Sequence, residues 1–302
     1  MKMKRIFYVV ILLTLLSCQT ATKQTKSLQN NIEQILVDKK ATVGVSVIGY
    51  DGNELVAINS NKQFPLQSVF KYHIALTMLS QIDEGKFSLD QKIEIQKKDL
   101  LPNLWSPLRE ENPNGGKFKI SKLIEYSVSY SDNVGCDILL RQLGGPIAVE
   151  NYIKKNNIKD ISVKLNEETM QSNWDLMYQN WITPKAANQS LITFFENKNK
   201  ALSKKSHEFI WKVMKETDTG ENRLKGGLPK GTAVAHKTGS SGTNKKGITE
   251  AVNDIGIVFL PNGKYFFISV FVTNSEENQK TNEKIIADIA KAAWYYYTSK
   301  TK

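Results

Sequence analysis

The segment ATVGVSVIGY at residues 41–50 alternates β-branched with small or polar residues, which is the pattern of a half-buried β-strand. Asp51-Gly52 is a turn signal, and residues 54–58 predict the returning strand of a hairpin. Further strands are predicted near the other end of the chain, at 232–237, 253–260 and 265–273, with Pro261-Asn262-Gly263 as the last turn. Strands at both ends of a chain favour one antiparallel sheet built from its two ends.

The long segment between these strands has helical rather than strand periodicity, from about residue 68 to residue 192. Two more amphipathic helices are predicted outside it, one beginning near Leu28 and one carrying Ile285 to Tyr296. The predicted fold class is therefore α/β (α+β), with an antiparallel five-stranded sheet flanked by helices and an all-helical sub-domain beside it. We expect one domain over 27–302, divided into an α/β sub-domain (27–66 and 215–302) and a helical sub-domain (67–214).

Residues 1–17 have the pattern of an export signal, with positive charges at 2–5 and an apolar run at 6–16. Eleven apolar residues are too few for a helix that spans a bilayer core of roughly 30 Å. Cys18 at the end of this run resembles the lipidated first residue of a bacterial lipoprotein, and residues 18–26 would then be a polar tether. The alternative is cleavage a few residues later, which would leave a soluble periplasmic protein.

The net charge of +11 initially favours nucleic acid or a membrane surface as a partner. Removing residues 1–17 would lower this charge to +8, because the segment holds three of the 41 basic residues. The remaining lysines are scattered, and no zinc finger or Gly-rich phosphate loop accompanies them. We therefore expect a lysine-rich solvated surface, no nucleic-acid partner, and no membrane contact except through a lipid on Cys18.

The cysteines and histidines exclude several other classes of site. Cys18 and Cys136 are the only cysteines, so a disulfide framework or zinc ribbon is excluded. His73, His207 and His236 lie in separate segments, and we expect packed or surface imidazoles rather than metal ligands. No metal and no cofactor are predicted.

The first motif that can carry chemistry is Ser68-Val69-Phe70-Lys71, at the predicted start of a helix. Residues i and i+3 share a helical face, so the lysine lies one turn from the serine. The serine can act as a nucleophile, and the lysine can accept its proton or stabilise its alkoxide. Such a quartet is common by chance, and the motif alone is weak.

The second motif is Ser131-Asp132-Asn133, at a break between two predicted helices. There the serine can relay a proton and the asparagine amide can hold a substrate carbonyl. The same residues are also favoured helix N-caps, and the two interpretations are compatible.

The third motif is Lys237-Thr238-Gly239, at the end of the strand predicted over 232–237. The lysine would direct a positive charge into a cleft, and the glycine would leave space for substrate along the strand. An exposed strand end with a turn is the alternative.

S-x-x-K, S-D-N and K-T-G in this order form a known signature, and on these motifs the sequence resembles a class A serine β-lactamase from about residue 28 to the final helix. The resemblance implies the serine β-lactamase/DD-peptidase fold, a small-molecule β-lactam substrate, antibiotic resistance, a monomer, and no cofactor. Ser68 would form the acyl-enzyme, Lys71 would transfer protons, and Ser131 would protonate the departing lactam nitrogen.

The resemblance also implies a set of binding residues. The substrate carboxylate would be bound by Lys237, Thr238 and Ser240 beside Gly239, with the backbone N–H groups of Ser68 and Ser240 as the oxyanion hole. Asn133 would hold the acyl amide, and Trp105 would form an aromatic wall of the cleft.

A glutamate near the nucleophile would separate a lactamase from a penicillin-binding protein, because it activates the water that hydrolyses the acyl-enzyme. In Asn166-Glu167-Glu168, Glu167 is in register with that residue. Without the other motifs, these residues would be interpreted as an acidic exposed loop. Whether Lys71 or Glu167 is the acylation base stays open.

The sequence departs from the common family pattern around this loop. Gln171 stands where asparagine usually helps to hold the water, and Leu165 and Asn180 stand at the positions of an Arg–Asp ion pair. Asp137 follows S-D-N where asparagine is usual, and Arg223 lies where some members anchor the substrate carboxylate. Together these features favour the cephalosporin-hydrolysing, often extended-spectrum branch, and leave the path of the loop open.

Two rivals share the motifs. A penicillin-binding DD-peptidase would be acylated by the same residues but would deacylate slowly. A penicillin sensor would also bind without turnover. We expect an exported enzyme of the periplasm that hydrolyses cephalosporins and penicillins.

Overall fold

The computed structural model of the chain describes residues 28–299. The predicted signal over 1–17, the tether over 18–26 and Cys18 lie outside these residues. Among the helices of the described range, none combines the length and apolar character that crossing a bilayer requires.

The structure has a central sheet, two small sheets and helices packed around them. In chain order the strands are β1 (Thr42–Gly49), β2 (Glu54–Ile58), β3 (Phe64–Pro65), β4 (Lys92–Gln96), β5 (Gly115–Lys119), β6 (Ile161–Ser162), β7 (Trp181–Ile182), β8 (Val234–Ser240), β9 (Val252–Phe259) and β10 (Tyr265–Thr273). The α-helices are α1 (28–36), α2 (Phe70–Asp83), α3 (Pro107–Glu111), α4 (Ile120–Ser129), α5 (Asn133–Gln142), α6 (Pro146–Lys155), α7 (Glu167–Ser172), α8 (Pro184–Glu196), α9 (Lys204–Lys215) and α10 (Gln279–Ser299). Short 3-10 helices lie at Gln67–Val69, Lys97–Asp99, Trp174–Gln179 and Lys225–Gly227.

The central sheet confirms the predicted five antiparallel strands from the two chain ends, in the order β2-β1-β10-β9-β8. In its register Val45 faces Val270 and Lys237 faces Ile255. β8 continues to Ser240, so K-T-G lies within the strand, although the sequence analysis placed it at the strand end.

Both faces of the sheet are covered by helices, because its strands carry apolar residues on both sides. One core joins α1 and α10 to the sheet, with Ile32, Val45 and Ile289 fully buried. The other joins the sheet to α8, α9 and the remaining helices, with α2 at its centre. The active-site segments lie where this second core meets β8.

The expectation that 67–214 is all-helical is wrong, because this segment contains short strands. β4 and β5 form a hairpin, in which the alternating KIEIQ of β4 pairs with the glycine-containing β5. The two-residue strands β3, β7 and β6 form a second small sheet that joins segments far apart in sequence. Two residues carry no detectable period, so sequence patterning could not reveal that sheet.

Candidate active site

The segment that carries Ser68 is fixed on both sides before the helix begins. Leu66 N donates to Asn180 O at 2.8 Å, and Ser68 lies in the 3-10 turn that continues into the buried helix α2. Gln67 has φ +45°, a left-handed conformation that costs a non-glycine residue about 1–3 kcal/mol and that surrounding contacts must stabilise. This turn brings Lys71 onto the same face as Ser68, as the S-x-x-K spacing predicts.

Lys71 is buried at the centre of a polar cluster in which every neighbour belongs to a predicted motif. Its Nζ lies close to Ser68 Oγ (2.7 Å), Ser131 O (2.9 Å), Asn133 Oδ1 (2.5 Å) and Glu167 Oε1 (2.8 Å). The side chains of Lys71 and Glu167 are both fully buried, so this ion pair is shielded from water.

The S-D-N motif forms the helix cap that one of its two interpretations predicts. Asp132 caps α5, with Oδ1 accepting from Gly135 N at 2.7 Å. Its Oδ2 accepts from Ser106 Oγ and Leu108 N, each at 2.8 Å, so the cap also fixes the segment next to Trp105. Burial raises the pKa of Asp132 above its ordinary value, against these hydrogen bonds.

Ser131 and Lys237 form the contact between the helical segments and the sheet. Ser131 has φ +58°, and its Oγ accepts from Lys237 Nζ at 2.9 Å. Burial and the neighbouring Lys71 hold the pKa of Lys237 well below its ordinary value. A buried pair next to it joins β8 to β9, where His236 Nδ1 contacts Asp254 Oδ1 at 2.9 Å.

Glu167 is the first residue of the short helix α7, and its carboxylate faces the nucleophile. Ser68 Oγ donates to its Oε1 at 3.5 Å, and Gln171 Nε2 donates to its Oε2 at 3.2 Å. Glu168 is exposed, so the two adjacent glutamates point in different directions.

Asp137, which the sequence analysis noted only as a departure, anchors the start of α7. Its two carboxylate oxygens accept from Glu167 N at 2.8 Å and from Glu168 N at 2.9 Å. Burial raises its pKa to about 6, although these two backbone hydrogen bonds lower it. A carboxylate that accepts from two N–H groups at a helix start acts as a helix cap. Asp137 lies 30 residues before the helix that it caps, so the local sequence of α7 does not reveal it.

Asn180 takes the place of an ion pair at the neck of the Glu167 loop. Its Oδ1 accepts from Lys164 N at 2.7 Å and Leu165 N at 3.0 Å, while its Nδ2 donates to Leu165 O at 2.9 Å. Glu150 adds a bond from Val163 N at 3.2 Å. The path of the loop, which the sequence left open, is thus defined by amide and carboxylate contacts to the backbone.

Arg223 lies at the edge of the cleft, but its guanidinium is 5% exposed and already has partners. Its Nη1 donates to Gly239 O and Asn253 O, its Nη2 donates to Ser240 Oγ at 2.7 Å, and its Nε lies 3.5 Å from Glu283. Arg223, predicted only at a position where some family members anchor the substrate carboxylate, therefore also joins β8 to β9.

Gly239 also meets a steric requirement that the sequence pattern does not reveal. A Cβ at this position would lie 2.7 Å from Leu66 O, in the segment that leads to the nucleophile. The glycine therefore allows β8 to approach that backbone closely, besides leaving space for a substrate along the strand.

These segments enclose a cleft of about 410 Å³. Nine of its lining residues were predicted from sequence: Ser68, Trp105, Ser131, Asn133, Gln171, Arg223, Thr238, Gly239 and Ser240. Lys71, Glu167 and Lys237 lie buried directly behind them. Asn103, Ser241 and Gly242 also line the cleft and were missed, because loop residues without a motif carry no signal.

The three histidines have ordinary packing partners. His73 Nε2 lies 3.0 Å from Ser190 Oγ, His207 Nε2 lies 2.8 Å from Phe195 O, and His236 pairs with Asp254. Within 28–299, no group of three or more His, Cys, Asp or Glu side chains is placed to bind a metal ion.

A buried Ser–Lys–Glu cluster at the junction of a five-stranded sheet and a helical region defines a serine acyl-transfer enzyme. Residues 27–297 match the β-lactamase enzyme family. The β-lactamase VEB-1 of Pseudomonas aeruginosa is 50% identical over 300 residues, which cover 99% of this chain and 100% of that protein.

Solved structures give the same result. The crystal structure of the TLA-3 extended-spectrum β-lactamase has a TM-score of 0.88 and 50% identity, covering 90% of this chain and 99% of that one. A class A β-lactamase from Bacteroides cellulosilyticus has a TM-score of 0.88 and 38% identity, covering 91% and 99%. The chain belongs to the β-lactamase enzyme family and to its class A, which confirms the resemblance on the three motifs.

Proposed function

We propose that this enzyme hydrolyses the β-lactam ring of cephalosporins and penicillins through an acyl-enzyme on Ser68, and that it confers resistance to these antibiotics. The observation that carries the proposal is the position of Lys71, 2.7 Å from Ser68 Oγ and 2.8 Å from Glu167 Oε1. One nitrogen contacts both the nucleophile and the carboxylate, and Ser68 Oγ also donates to Glu167 Oε1 at 3.5 Å, so the Lys71–Glu167 pair is placed to accept the serine proton at the moment of attack.

Acylation begins when Ser68 Oγ attacks the lactam carbonyl and its proton passes to the Lys71–Glu167 pair. The carbonyl oxygen becomes an oxyanion between the backbone N–H groups of Ser68 and Ser240, each worth about 3–4 kcal/mol in such a site. The ring C–N bond then breaks, and Ser131 donates its hydroxyl proton to the departing nitrogen. Lys237 Nζ, 2.9 Å from Ser131 Oγ, stabilises the oxygen that loses this proton.

The substrate is oriented from the two sides of the cleft. On β8, Thr238, Ser240 and Lys237 bind the carboxylate, and Arg223 contributes positive charge beside Ser240. On the opposite side Asn133 holds the acyl amide, Trp105 forms a wall and Gln171 lines the floor near Glu167.

Deacylation requires an activated water. Glu167 has this role, because its buried carboxylate faces Ser68 Oγ at 3.5 Å. The same water would also hydrogen-bond to Gln171, which already donates to Glu167 Oε2. A functional Glu167 separates this enzyme from a slow-turnover penicillin-binding protein.

The test is to mix the enzyme with a chromogenic cephalosporin and to follow both ring opening and intact protein mass. Wild-type protein turns over without accumulating adduct, whereas Glu167→Gln accumulates an acyl-enzyme and Ser68→Ala forms none. Normal turnover by Glu167→Gln would move the water-activating role to another group, and turnover by Ser68→Ala would end the proposal.

We also assign this enzyme to the extended-spectrum, cephalosporin-preferring type. A second cavity of about 730 Å³ is lined by Trp174, Tyr178 and residues of 243–248, which directly follow Gly242 of the cleft in the chain. Because Gln171 and Gly242 line the cleft itself, a bulky acyl substituent could extend from it toward this cavity. The ratio of kcat/KM for a bulky oxyimino-cephalosporin to that for benzylpenicillin tests this assignment, and a ratio far below one would contradict it.

We further propose that the enzyme is exported to the periplasm, acts as a monomer and is held at a membrane by a lipid on Cys18. The signal pattern over 1–17 and the polar tether over 18–26 support this. Radiolabelled palmitate should enter wild-type protein but not Cys18→Ser. A wild-type protein without label that fractionates as soluble would favour cleavage beyond Cys18.

A further inference from the structure

The wall segment, residues 101–105, carries two residues of the cleft, Asn103 and Trp105. Its own backbone supplies little stability, because its internal turn bond, from Leu104 N to Leu101 O, is 3.5 Å long. Trp105 is 57% exposed, so burial does not hold its ring in place. Within the segment the buried side chain of Leu104 is the main apolar anchor, so the backbone on either side of Asn103 depends on further contacts from outside the segment.

At Trp105, its last residue, the wall segment is hydrogen-bonded to the S-D-N region. Asn133 N donates to Trp105 O at 3.0 Å, and Trp105 Nε1 donates to Tyr130 O at 3.2 Å. Neither contact restrains the backbone around Asn103.

Arg109, on the short helix α3, holds the wall segment through the backbone on either side of Asn103. Arg109 Nη1 donates to both Leu101 O at 2.5 Å and Leu104 O at 2.7 Å, which brackets Asn103. The Arg109 side chain is 21% exposed, and the carboxylate of Glu110, which is largely exposed, lies 3.9 Å from it. Charge-assisted bonds to two carbonyls are therefore its main contacts, and they are stronger than neutral ones.

The helix that carries Arg109 is itself anchored to the catalytic region. Arg109 N donates to Ser106 Oγ at 3.1 Å, and Ser106 Oγ donates to Asp132 of the S-D-N motif. The Arg109 side chain therefore connects the wall segment to α3, and the Ser106–Asp132 hydrogen bond connects α3 to the S-D-N turn.

We propose that Arg109 is a positioning residue, which sets the width of the cleft for the substrate by holding Asn103 and Trp105. This inference rests on the proposed function, since it concerns how the same cleft binds its β-lactam. Arg109 touches neither Ser68 nor Lys71, so its loss should weaken substrate binding and leave the chemical steps intact.

The test is a double-mutant cycle between Arg109→Ala and Trp105→Ala, with KM and kcat measured for a chromogenic cephalosporin. Arg109→Ala should raise KM about fivefold and change kcat less than twofold, as a loss of uniform binding does. The double variant should have a KM no more than about twofold above that of Trp105→Ala alone, because both changes act on one wall.

The matched control is Arg141→Ala. Arg141 is also a charged arginine near this region, but it pairs with Asp99 at 3.0 Å and is 61% exposed. It should leave KM unchanged. Arg109→Gln, which keeps an amide donor on a shorter side chain, replaces Arg109→Ala in the cycle if the alanine variant does not fold.

Two results would overturn the proposal. One is an unchanged KM in a folded Arg109 variant. The other is a double variant whose KM increase equals the product of the increases of the two single variants. Failure of the proposed function itself would be visible separately, as an absence of turnover in the wild-type enzyme before any variant is compared.

Discussion

The two regions that form the active site, one carrying Ser68 and Lys71 and the other carrying Glu167, are stabilised in different ways. Ser68 and Lys71 belong to the start of α2, a helix with eleven buried residues in the middle of the core. Glu167 belongs to α7, a helix of six residues, whose first two N–H groups donate to Asp137 and whose preceding segment donates to Asn180. The first region is stabilised by extensive apolar burial, whereas the second has one buried apolar side chain, Met170, beside a few polar contacts.

From this difference we expect acylation and deacylation to respond differently to mutation. Hydrophobic packing is distributed over many contacts, so no single polar residue positions the nucleophile. A loop held by a few buried hydrogen bonds loses its geometry when one partner is removed, because a buried polar group left unpaired costs about 1–3 kcal/mol.

The largest expected effect lies in the acylation region. Lys71→Ala removes one member of the Lys71–Glu167 pair that faces Ser68 and leaves Glu167 buried without its ion-pair partner, so the acylation rate should fall by about a thousandfold. Rapid-quench mass spectrometry should show almost no acyl-enzyme during the first turnover. A Lys71→Ala protein that acylates rapidly but deacylates slowly would instead place Lys71 in the second step.

The next effect lies in the Glu167 loop. Asn180→Ala removes the partner of Lys164 N and Leu165 N in two part-buried hydrogen bonds, so deacylation should slow by about tenfold to a hundredfold while acylation changes little. Intact mass should show an adduct that wild-type protein does not accumulate.

Asn197→Ala is a matched control for this variant. Asn197 also bridges backbone groups, donating to Leu202 O at 2.8 Å and accepting from Leu202 N at 3.1 Å, but it lies between α8 and α9. It should lower thermal stability without an adduct. Adduct in both variants would show that general destabilisation, rather than the loop, controls deacylation.

A third prediction concerns pH. The pKa of Asp137 is raised by burial to about 6 from 3.8, so the folded state holds this proton more tightly than the unfolded state. Its contribution to stability is therefore fully present below about pH 4 and is lost as the pH rises through 6. Wild-type protein should lose about 2 kcal/mol of unfolding free energy relative to Asp137→Asn between pH 4.5 and 7.

Urea unfolding of both proteins at the two pH values checks this difference. A constant difference between wild type and Asp137→Asn would mean that Asp137 does not titrate in this range. A difference of the opposite sign would mean that its two backbone hydrogen bonds outweigh burial.

The smallest effect is expected at Glu168. Its side chain is exposed and only its backbone N–H contacts Asp137, so Glu168→Gln should keep kcat and KM within about twofold of wild type. Steady-state kinetics beside Glu167→Gln checks this. A large loss at Glu168 would show that the loop presents either glutamate to the nucleophile.

Much of the site could be predicted because its motifs depend on local geometry. The i, i+3 spacing of Ser68 and Lys71 and the capping turn at Asp132 are properties of a few neighbouring residues. The five strands of the central sheet also follow from local alternation and turns. The small sheet of β3, β7 and β6 could not be predicted, because its pairing depends on contacts between distant segments.

The residues missed in the site share that cause. Asp137 as a cap, Asn180 as the neck of the loop and Arg109 behind the wall segment all bond to backbone groups outside their own element. A side chain that bonds to a distant backbone N–H or C=O leaves no pattern in the sequence around it. Likewise, the burial of Arg223 depends on β9 and α10, which follow it in the chain.

The sequence by itself determined the family and the order of the motifs and predicted the nucleophile, because residue identity and short spacing fix which groups can do chemistry. The tertiary structure decided which of two adjacent glutamates faces Ser68, what holds it there, and why Gly239 must lack a side chain. These outcomes depend on how closely segments far apart in the chain approach one another. That approach is set by packing and by long-range hydrogen bonds, not by local sequence.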